Sequence, residues 1–305
     1  MCRFLALCAS VLTLIAFLAT PMPASAGQQN FDDVQIETIA VADGIYMLVG
    51  SGGNIGLSVG DDGPFVVDDQ YAPLTDKIKA AIAAVSDADV RFVLNTHWHG
   101  DHTGGNENFG SSGAMIVAHH NVRKRLNPAE FAEVMGSSDQ AAAEALPIVT
   151  FTDEVTFYWN EEKIQVFHVA NAHTDGDAIV WFTDADVIHM GDNFFAGTYP
   201  YIDVDSGGSA QGMIAAVEKV IALAGSGTKI IPGHGPLSSI ADLRDFRDML
   251  VTVRDRVQAM INDGLNIDEI LTAGPSAEYD DGWGGGFVNP ERFVRALYAS
   301  LAGGS

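Results

Sequence analysis

Cysteine is nearly absent from this sequence, since Cys2 and Cys8 are the two cysteines in 305 residues. Both lie within the first 26 residues, a segment that we predict to be removed from the mature protein. The mature chain then has no thiol, so it can form no disulfide bond even in an oxidising compartment. It also cannot offer a thiolate to a metal ion, which excludes the cysteine-containing kinds of zinc site.

Basic side chains are also scarce, with 16 lysine and arginine residues against 40 aspartate and glutamate residues. The formal net charge is −24 at pH 7. A surface this acidic repels the phosphate backbone of DNA and RNA, so we expect no nucleic-acid partner. The sequence carries no signal for an oligomeric state.

Long apolar runs are absent after the first 26 residues, and the one run within them is short. Phe4 to Ala19 follows the positively charged Arg3 and has sixteen residues, fewer than the about 20 that a helix needs to span a bilayer. Pro21 and Pro23 follow at once, and residues 24–26 (Ala-Ser-Ala) form a small-residue cleavage site. We therefore expect residues 1–26 to be a secretory signal peptide, the mature protein to be exported to the periplasm, and no membrane association after cleavage.

The densest cluster of polar residues is the hexapeptide 97–102, which holds His97, His99, Asp101 and His102. Unpaired imidazole rings are costly to bury, so a cluster of them does not build an apolar core. Imidazole and carboxylate groups are, however, ligands that zinc accepts at about 2.0–2.2 Å. The apolar run at 90–95 predicts a buried strand that ends at this motif. The sequence therefore predicts a metal site at the end of a strand.

Four further motifs follow the order of a known family. Asp68 ends the run Phe-Val-Val-Asp, and His173 stands in Ala-His-Thr-Asp-Gly-Asp. Asp192 ends His-Met-Gly-Asp, and His234 is central in Pro-Gly-His-Gly-Pro. With the H-x-H-x-D-H hexapeptide, these motifs closely resemble the metallo-β-lactamase superfamily over roughly residues 36 to 240.

The resemblance implies a fold of mixed α/β (α+β) class, a four-layer αββα sandwich with two sheets face to face and helices outside. Strand patterns followed by a helix pattern occur twice along the chain, which agrees with that architecture. We find no linker, so residues 27–305 are expected to form a single domain with helices at its carboxyl end. The strands are predicted at 45–49, 55–59, 65–67, 90–95, 114–117, 155–159, 163–169, 178–182, 187–190 and 229–231, and the helices at 75–85, 128–145, 210–224, 240–262 and 290–301.

The resemblance also implies a ligand set for two metal ions, expected to be Zn²⁺, with iron and manganese as alternatives. Each ligand carries an imidazole or a carboxylate. The first ion would be bound by His97, His99 and His173, the second by Asp101, His102 and His234, and Asp192 would bridge the two. Asp68 is expected behind these ligands, hydrogen-bonded to a ligand histidine or to the loop that carries the motif.

Four histidines remain outside this set. We expect His119 and His120 to lie at the surface or behind the ligands, because they follow a strand near the site. His168 and His189 alternate with apolar neighbours on predicted strands, which favours positions in the core or behind the ligands.

Two loops are candidates for the substrate pocket. Gly52, Gly53 and Asn54 belong to a glycine-rich loop whose family counterpart lies beside the active site and can fold over substrate, although the pattern is equally typical of a plain hairpin tip. Phe195 stands where some β-lactamases of the family place a lysine for the substrate carboxylate.

In the glycine-rich segment 279–287, Trp283 and Phe287 are interpreted as packing anchors.

The implied chemistry is hydrolysis of a small molecule with a hydrolysable carbonyl. A metal-bound hydroxide would attack the carbonyl carbon, because zinc lowers the pKa of bound water to about 7. Asp101 would be the catalytic side chain that steers this hydroxide or accepts its proton. The metal centre would stay net positive and could hold an anionic substrate despite the acidic chain.

Three functions follow from these observations. Export favours an exported dinuclear zinc hydrolase that is β-lactamase-like, with weak or broad β-lactam hydrolysis. Asp192 and Phe195 instead exclude the β-lactamase subclass that uses a cysteine ligand and a lysine, and a bridging aspartate is typical of a lactonase or a glyoxalase-II-like thioesterase. A third alternative is a metal-binding partner protein of an exported redox pathway with little catalysis. The acidic charge disfavours the nucleases of the superfamily.

Overall fold

The structure is a computed structural model that describes residues 30–127 and 142–302. The predicted signal peptide lies outside the described residues, and so does most of the helix predicted at 128–145, of which Ala143–Ala145 is a 3-10 turn. From Phe31 onward the described residues belong to one compact unit. No helix within the two described ranges is long and apolar enough to cross a membrane.

The first sheet contains seven strands in the order of the sequence. Strands β1 to β4 are antiparallel neighbours, and β4 to β7 pair in parallel. The bounds are β1 Glu37–Ala42, β2 Ile45–Val49, β3 Ile55–Ser58, β4 Phe65–Val67, β5 Phe92–Asn95, β6 Met115–His119 and β7 Val149–Phe151.

The second sheet contains six strands in the order β13-β12-β11-β10-β9-β8. Strands β8 to β11 are antiparallel, whereas β11 and β12 pair in parallel. The bounds are β8 Glu154–Trp159, β9 Glu162–His168, β10 Ala178–Phe182, β11 Val187–His189, β12 Lys229–Ile231 and β13 Ser238–Ser239.

The helices of the described ranges lie between and after these strands. They are α1 Thr75–Ala83, α2 Gly100–Thr103, α3 Asn106–Ser111, α4 His120–Leu126, α5 Ala210–Leu223, α6 Ile240–Asn262, α7 Ile267–Ala273, α8 Asp280–Trp283 and α9 Pro290–Ala302. Short 3-10 turns add Ala72–Leu74, Gly191–Asn193 and Val204–Ser206.

Alternating side chains of each sheet point to two different apolar layers. In the first sheet Phe65 and Val67 face the second sheet, where they meet residues such as Val180, whereas Val66 packs toward Ile78 of α1. The second sheet likewise turns its outer face toward α5, α6 and α9. Helices therefore cover both outer faces of two facing sheets, and the predicted four-layer sandwich is confirmed.

Burial along each element follows its place in these layers. Strand β10 is almost continuously buried because it lies between β9 and β11, whereas β8 alternates between exposed and half-buried side chains at the edge of its sheet. Helix α6 begins at a capping box in which Ser239 and Asp242 bond each other's backbone, and it buries one apolar stripe that includes Phe246 and Leu250.

Three strands were not predicted from the sequence: β1, β7 and β13. β1 and β7 are edge strands with exposed residues, and β13 is a pair of serines. Backbone pairing holds all three, so their side chains carry little of the apolar pattern that identifies a strand.

Candidate metal centre

The seven predicted ligands come together where several strands end. His97 and His99 lie in the loop after β5, and Asp101 and His102 occupy the first turn of α2. His173 follows β9, Asp192 lies in the 3-10 turn after β11, and His234 follows β12. Ligand atoms of His97, His99, His173 and Asp192 all lie within 4.8 Å of one another, and so do those of Asp101, His102 and His234. These are the two sets that the resemblance implies.

Hydrogen bonds behind the first set fix which ring nitrogen carries the proton. His173 Nδ1 lies 2.8 Å from the backbone carbonyl of Tyr201, which can only accept, so Nδ1 donates. His99 Nε2 lies 2.9 Å from the carboxylate of Asp203 and donates to it. Burial raises the pKa of Asp203, but the hydrogen bonds from His99 and Ser206 outweigh burial and lower that pKa to about 2.

The third ring of this set is fixed through Thr96. The Thr96 hydroxyl donates to Asp68 Oδ2 at 2.8 Å, so it must accept from His97 Nδ1, which lies 3.0 Å away. Burial lowers the pKa of His97 well below its ordinary value, and burial also lowers the pKa of His173 to about 4. Both rings are therefore neutral at pH 7.

Three lone pairs consequently face one another. His99 Nδ1 lies 2.9 Å from His173 Nε2 and 3.1 Å from His97 Nε2. With the His99 ring in the neutral form that binds a metal, none of these nitrogens carries a proton. Such an arrangement is repulsive by itself and becomes attractive around a cation. Nitrogens that bind one tetrahedral zinc at about 2.0–2.1 Å lie roughly 3.3 Å apart, close to these separations. The donor set thus fits a metal ion.

The second set is organised around Asp68. Its carboxylate is fully buried, accepts from the backbone of Thr96 at 2.7 Å, and accepts from His102 Nδ1 at 2.7 Å. Asp68 has a left-handed backbone with φ of 64°, a strained conformation for a residue with a side chain. The predicted contacts with a ligand histidine and with the motif loop are both present, so Asp68 aims His102 Nε2 at the site.

Asp192 faces both sets with one carboxylate. Its Oδ1 lies 3.1 Å from His102 Nε2 and 3.3 Å from His234 Nε2, and its Oδ2 lies 3.6 Å from His173 Nε2. Oδ1 is buried and makes no hydrogen bond of good geometry with the described residues. Burial raises the pKa of Asp192, but the surrounding histidines, His234 first, outweigh burial and lower it well below its ordinary value.

Protons compete with metal at the second set. Burial lowers the pKa of His102, but Asp192, Asp101 and Asp68 outweigh burial and raise it well above its ordinary value. The pKa of His234 is also raised, because Asp192 outweighs the effect of burial. Metal binding at this set must therefore displace protons.

Glycines let the backbone approach the ligands closely. A Cβ on Gly53 would lie 2.1 Å from the His102 ring, and a Cβ on Gly233 would lie 2.1 Å from Asp192 Oδ1. Neither position could accept a side chain without displacing a ligand.

The loop of Gly52, Gly53 and Asn54, predicted as a possible substrate loop, is hydrogen-bonded to the loops that carry the ligands. Gly53 donates its backbone N–H to Asp101 O at 3.1 Å, and the buried Asn54 side chain donates to Pro232 O and Gly235 O. These contacts fasten the loop against both ligand-bearing loops. The three residues are not among the described residues that line the adjacent cavity. These contacts support the ligand-bearing loops, and the role of this loop in covering the substrate stays a prediction.

A cavity of about 650 Å³ opens beside the two ligand sets. Asp101, Asp192 and His234 line one part of it, and Phe195 forms an adjoining wall. The Phe195 ring stacks on His234 at 5.2 Å between centroids and 10° between planes. Phe195 thus faces the cavity, as its inclusion among the substrate residues predicted, and it also packs against a ligand.

The remaining histidines lie away from the metal ligand atoms. His189 is buried, with Nε2 bonded to Asn54 O and Nδ1 accepting from the backbone of Gly191, so neither nitrogen is available to a metal. His120 is exposed. His119 is buried, which rules out the surface position among the two predicted for it, and it stacks on His168 with centroids 3.9 Å apart.

Several residues of the site were missed from the sequence. Asp203 and Tyr201 belong to a loop without a recognisable motif, and Tyr201 contributes a backbone carbonyl, which no side-chain pattern reveals. Phe287 was interpreted as a packing anchor, but its side chain is 74% exposed and lines the cavity together with Arg292. Trp283 does pack against the apolar core, as predicted.

Comparisons with known proteins identify the family and the fold. The family model described as "Metallo-beta-lactamase superfamily" matches residues 48–238. The solved DIM-1 metallo-beta-lactamase aligns with a TM-score of 0.58 at 17% identity, over 72% of this chain and 99% of that chain. A metallo-beta-lactamase from Pontibacter korlensis aligns with a TM-score of 0.58 at 17% identity, over 71% of this chain and 99% of that chain.

A double mutant of the sec-alkyl sulfatase PisA1 shares the fold as well. It aligns with a TM-score of 0.66 at 16% identity, over 88% of this chain and 51% of that chain, so this chain spans about half the length of the sulfatase. At these identities the three structures establish a common fold.

Proposed function

Because this chain belongs to the metallo-beta-lactamase superfamily and is a metal-dependent hydrolase, we propose that it is an exported dinuclear zinc enzyme that hydrolyses β-lactams slowly. The observation that carries the proposal is the pair of adjacent ligand sets that share Asp192. A single metal ion would occupy one set and would leave the converging imidazole and carboxylate groups of the other set without a metal.

Each ion of the proposed pair would have its own ligands. His97, His99 and His173 would hold the first, and Asp101, His102 and His234 the second, while Asp192 would contact both. Bound there, two zinc ions would supply hydroxide at neutral pH and would polarise the substrate carbonyl. Imidazole and carboxylate groups also accept iron and manganese, so metal analysis of the purified protein is part of the test.

The chain's own groups account for orientation and proton transfer. Asp101 is the half-buried carboxylate at the cavity wall, with Oδ2 3.4 Å from His234 Nε2, and it is placed to accept a proton from the attacking water. Phe195 covers one face of the His234 ring by stacking on it. Asp68 and Asp203 keep the ligand rings aimed during turnover.

Two arguments favour β-lactams as substrates. Two of the solved structures that share this fold are metallo-beta-lactamases. The Asp101, His102, His234 set also resembles the β-lactamases whose metal ligands include no cysteine. The apolar Phe195 argues for low efficiency, because it offers no cation to a substrate carboxylate. A charge-assisted contact of that kind would contribute about 1.5–3 kcal/mol, so its loss raises KM roughly ten- to hundredfold.

Hydrolysis of a lactone or a thioester is the second candidate, and Asp192 favours it. One aspartate that faces both ligand sets resembles the bridging arrangement of lactonases and glyoxalase-II-like enzymes. The same attack on a carbonyl carbon serves all of these substrates.

A substrate panel on zinc-loaded protein tests the proposal. We expect measurable hydrolysis of a penicillin, a cephalosporin or a carbapenem, with a high KM and complete loss of activity after chelation. Rapid cleavage of a lactone or thioester without any β-lactam hydrolysis would favour the second candidate. If the fully zinc-loaded protein hydrolysed none of these compounds, the remaining candidate function would be a metal-binding partner protein.

Export is a separate part of the proposal and is supported by the sequence of residues 1–26. We expect the mature protein to begin at Gly27 in the periplasm of a Gram-negative host. Amino-terminal sequencing of the expressed full-length chain checks this, and a membrane-associated product that retains Met1 would contradict it.

A further inference from the structure

Besides Phe195, the cavity wall contains the aromatic residues Tyr201 and Phe287. Tyr201 lies with its ring centroid 5.9 Å from that of His99, and Phe287 lies 6.2 Å from Tyr201 with the two rings nearly perpendicular. These contacts form a continuous aromatic surface that leads from a metal ligand to the loop before α9. An apolar or aromatic part of a substrate would pack on this surface.

Phe287 is exposed although its neighbours are fixed. Val288 is buried in the core, and Gly286 lies so close to Thr198 that a Cβ would approach the threonine side chain to 2.8 Å. The loop is therefore held on both sides of Phe287, and the ring is directed toward the cavity with most of its surface open. A fixed, exposed aromatic ring at a cavity wall is suited to bind a ligand.

Arg292 continues this wall and is the one lysine or arginine among the described residues that line the cavity. Its guanidinium lies 4.5 Å from the centroid of the Phe287 ring, and Nη1 donates to Phe287 O at 3.1 Å. Within 30–127 and 142–302, no carboxylate forms an ion pair with it, in contrast to Arg295 on the same helix, which pairs with Glu291. The other N–H groups of the guanidinium fork remain available to an anion.

We infer that Arg292 and Phe287 form a recognition site for an anionic group at the far end of the substrate, separated from the scissile bond by an apolar segment and distinct from the carboxylate next to that bond, which Phe195 leaves without a cation. This inference rests on the proposed function for the identity of the scissile bond. The apolar segment would lie along Tyr201 and Phe287 while the anionic group meets the guanidinium. In a chain of net charge −24, this unpaired cation gives an anion a local attraction that the overall field opposes.

Binding of a non-hydrolysable pair tests the inference without requiring turnover. Phenylbutyrate and its neutral amide, phenylbutanamide, are titrated into zinc-loaded protein by calorimetry, in the wild type and in Arg292→Gln, Arg292→Lys, Arg295→Gln and Phe287→Ala. The amide has the same body without the charge, so the ratio of the two dissociation constants reports the recognition of the anion. Circular dichroism and thermal unfolding confirm that each variant is folded.

We expect the wild type to prefer the carboxylate and Arg292→Gln to lose roughly ten- to hundredfold of that preference. Arg292→Lys should retain part of it, because lysine keeps the charge without the planar fork. The matched control Arg295→Gln should retain the full preference for the carboxylate. Phe287→Ala should weaken the binding of both compounds by the same factor.

An unchanged preference in Arg292→Gln would overturn the inference and assign the carboxylate to the metal ions. If Arg295→Gln lost the preference for the carboxylate equally, the preference would come from overall charge, and the inference would again be wrong. Absence of hydrolysis in the substrate panel would contradict the proposed function and leave these binding ratios unaffected, so the two failures can be told apart.

Discussion

At the scale of residues, the site depends on groups that orient imidazole rings. The ligands themselves could be predicted, because His97, His99, Asp101 and His102 are adjacent in the sequence and their chemistry is distinctive. Asp203 could not be predicted, because its contact with His99 spans 104 positions and no local sequence pattern identifies Asp203. A buried acceptor behind each ring is nevertheless required, because it decides which nitrogen offers a lone pair.

The contact between Asp203 and His99 gives the first prediction. Replacing Asp203 by alanine leaves the His99 ring free to turn and to carry its proton on either nitrogen. We expect roughly a 10–100-fold loss in zinc affinity or in activity. Competition with a chromophoric chelator measures the affinity.

Asp205 is the matched control for this change, because it has the same charge, lies two residues later and is exposed. Asp205→Ala should bind zinc as the wild type does. Equal losses of zinc affinity in both variants would show that surface charge causes the effect. Unchanged affinity in both variants would show that Asp203 does not support metal binding.

At the scale of elements, the sequence predicted most strands that lie inside a sheet and missed three short or exposed ones. Strand β10 was located correctly because nearly all of its side chains are buried, whereas β13 consists of two serines held by backbone pairing. The sequence also gave no sign that the ends of β6 and β9 meet. His119 and His168 end these strands in different sheets, and their rings stack within 4° of parallel.

This stacked pair gives a prediction about pH. Burial, with a smaller contribution from His168, lowers the pKa of His119 from 6.5 to about 4. Below pH 6.5, His119 therefore binds a proton in the unfolded chain but stays neutral in the folded chain. The free energy of unfolding consequently falls as the pH drops toward 4. In metal-free protein, His119→Gln should lose less stability between pH 7 and pH 4.5 than the wild type, by on the order of 2 kcal/mol.

Urea unfolding at the two pH values measures this difference. His120→Gln is the control, because His120 is the adjacent residue and is exposed, and it should follow the wild type. If His119→Gln lost as much stability on acidification as His120→Gln, the buried His119 would not contribute to the pH dependence.

At the scale of the whole molecule, the metal centre exists because two sheets pack face to face. Ligands after β5 come from one sheet and ligands after β9, β11 and β12 from the other, and Asp192 lies between the two sets. The resemblance located the ligands in the chain, but the packing of α9 beside the cavity depends on the apolar contacts of Phe293 and Val294 with the core. Arg292 owes its position to those neighbours, so the sequence alone gave no reason to connect it with the site.

Zinc titration of the metal-free protein tests the central claim most directly, with metal analysis of the saturated product. Two adjacent ligand sets that share Asp192 predict two zinc ions per chain in the wild type. In Asp192→Ala the two ions would lose the carboxylate that lies between them, so occupancy of the set formed by Asp101, His102 and His234 should fall together with turnover. Saturation of the wild type at one zinc ion per chain, under conditions where the enzyme is fully active, would contradict the dinuclear centre.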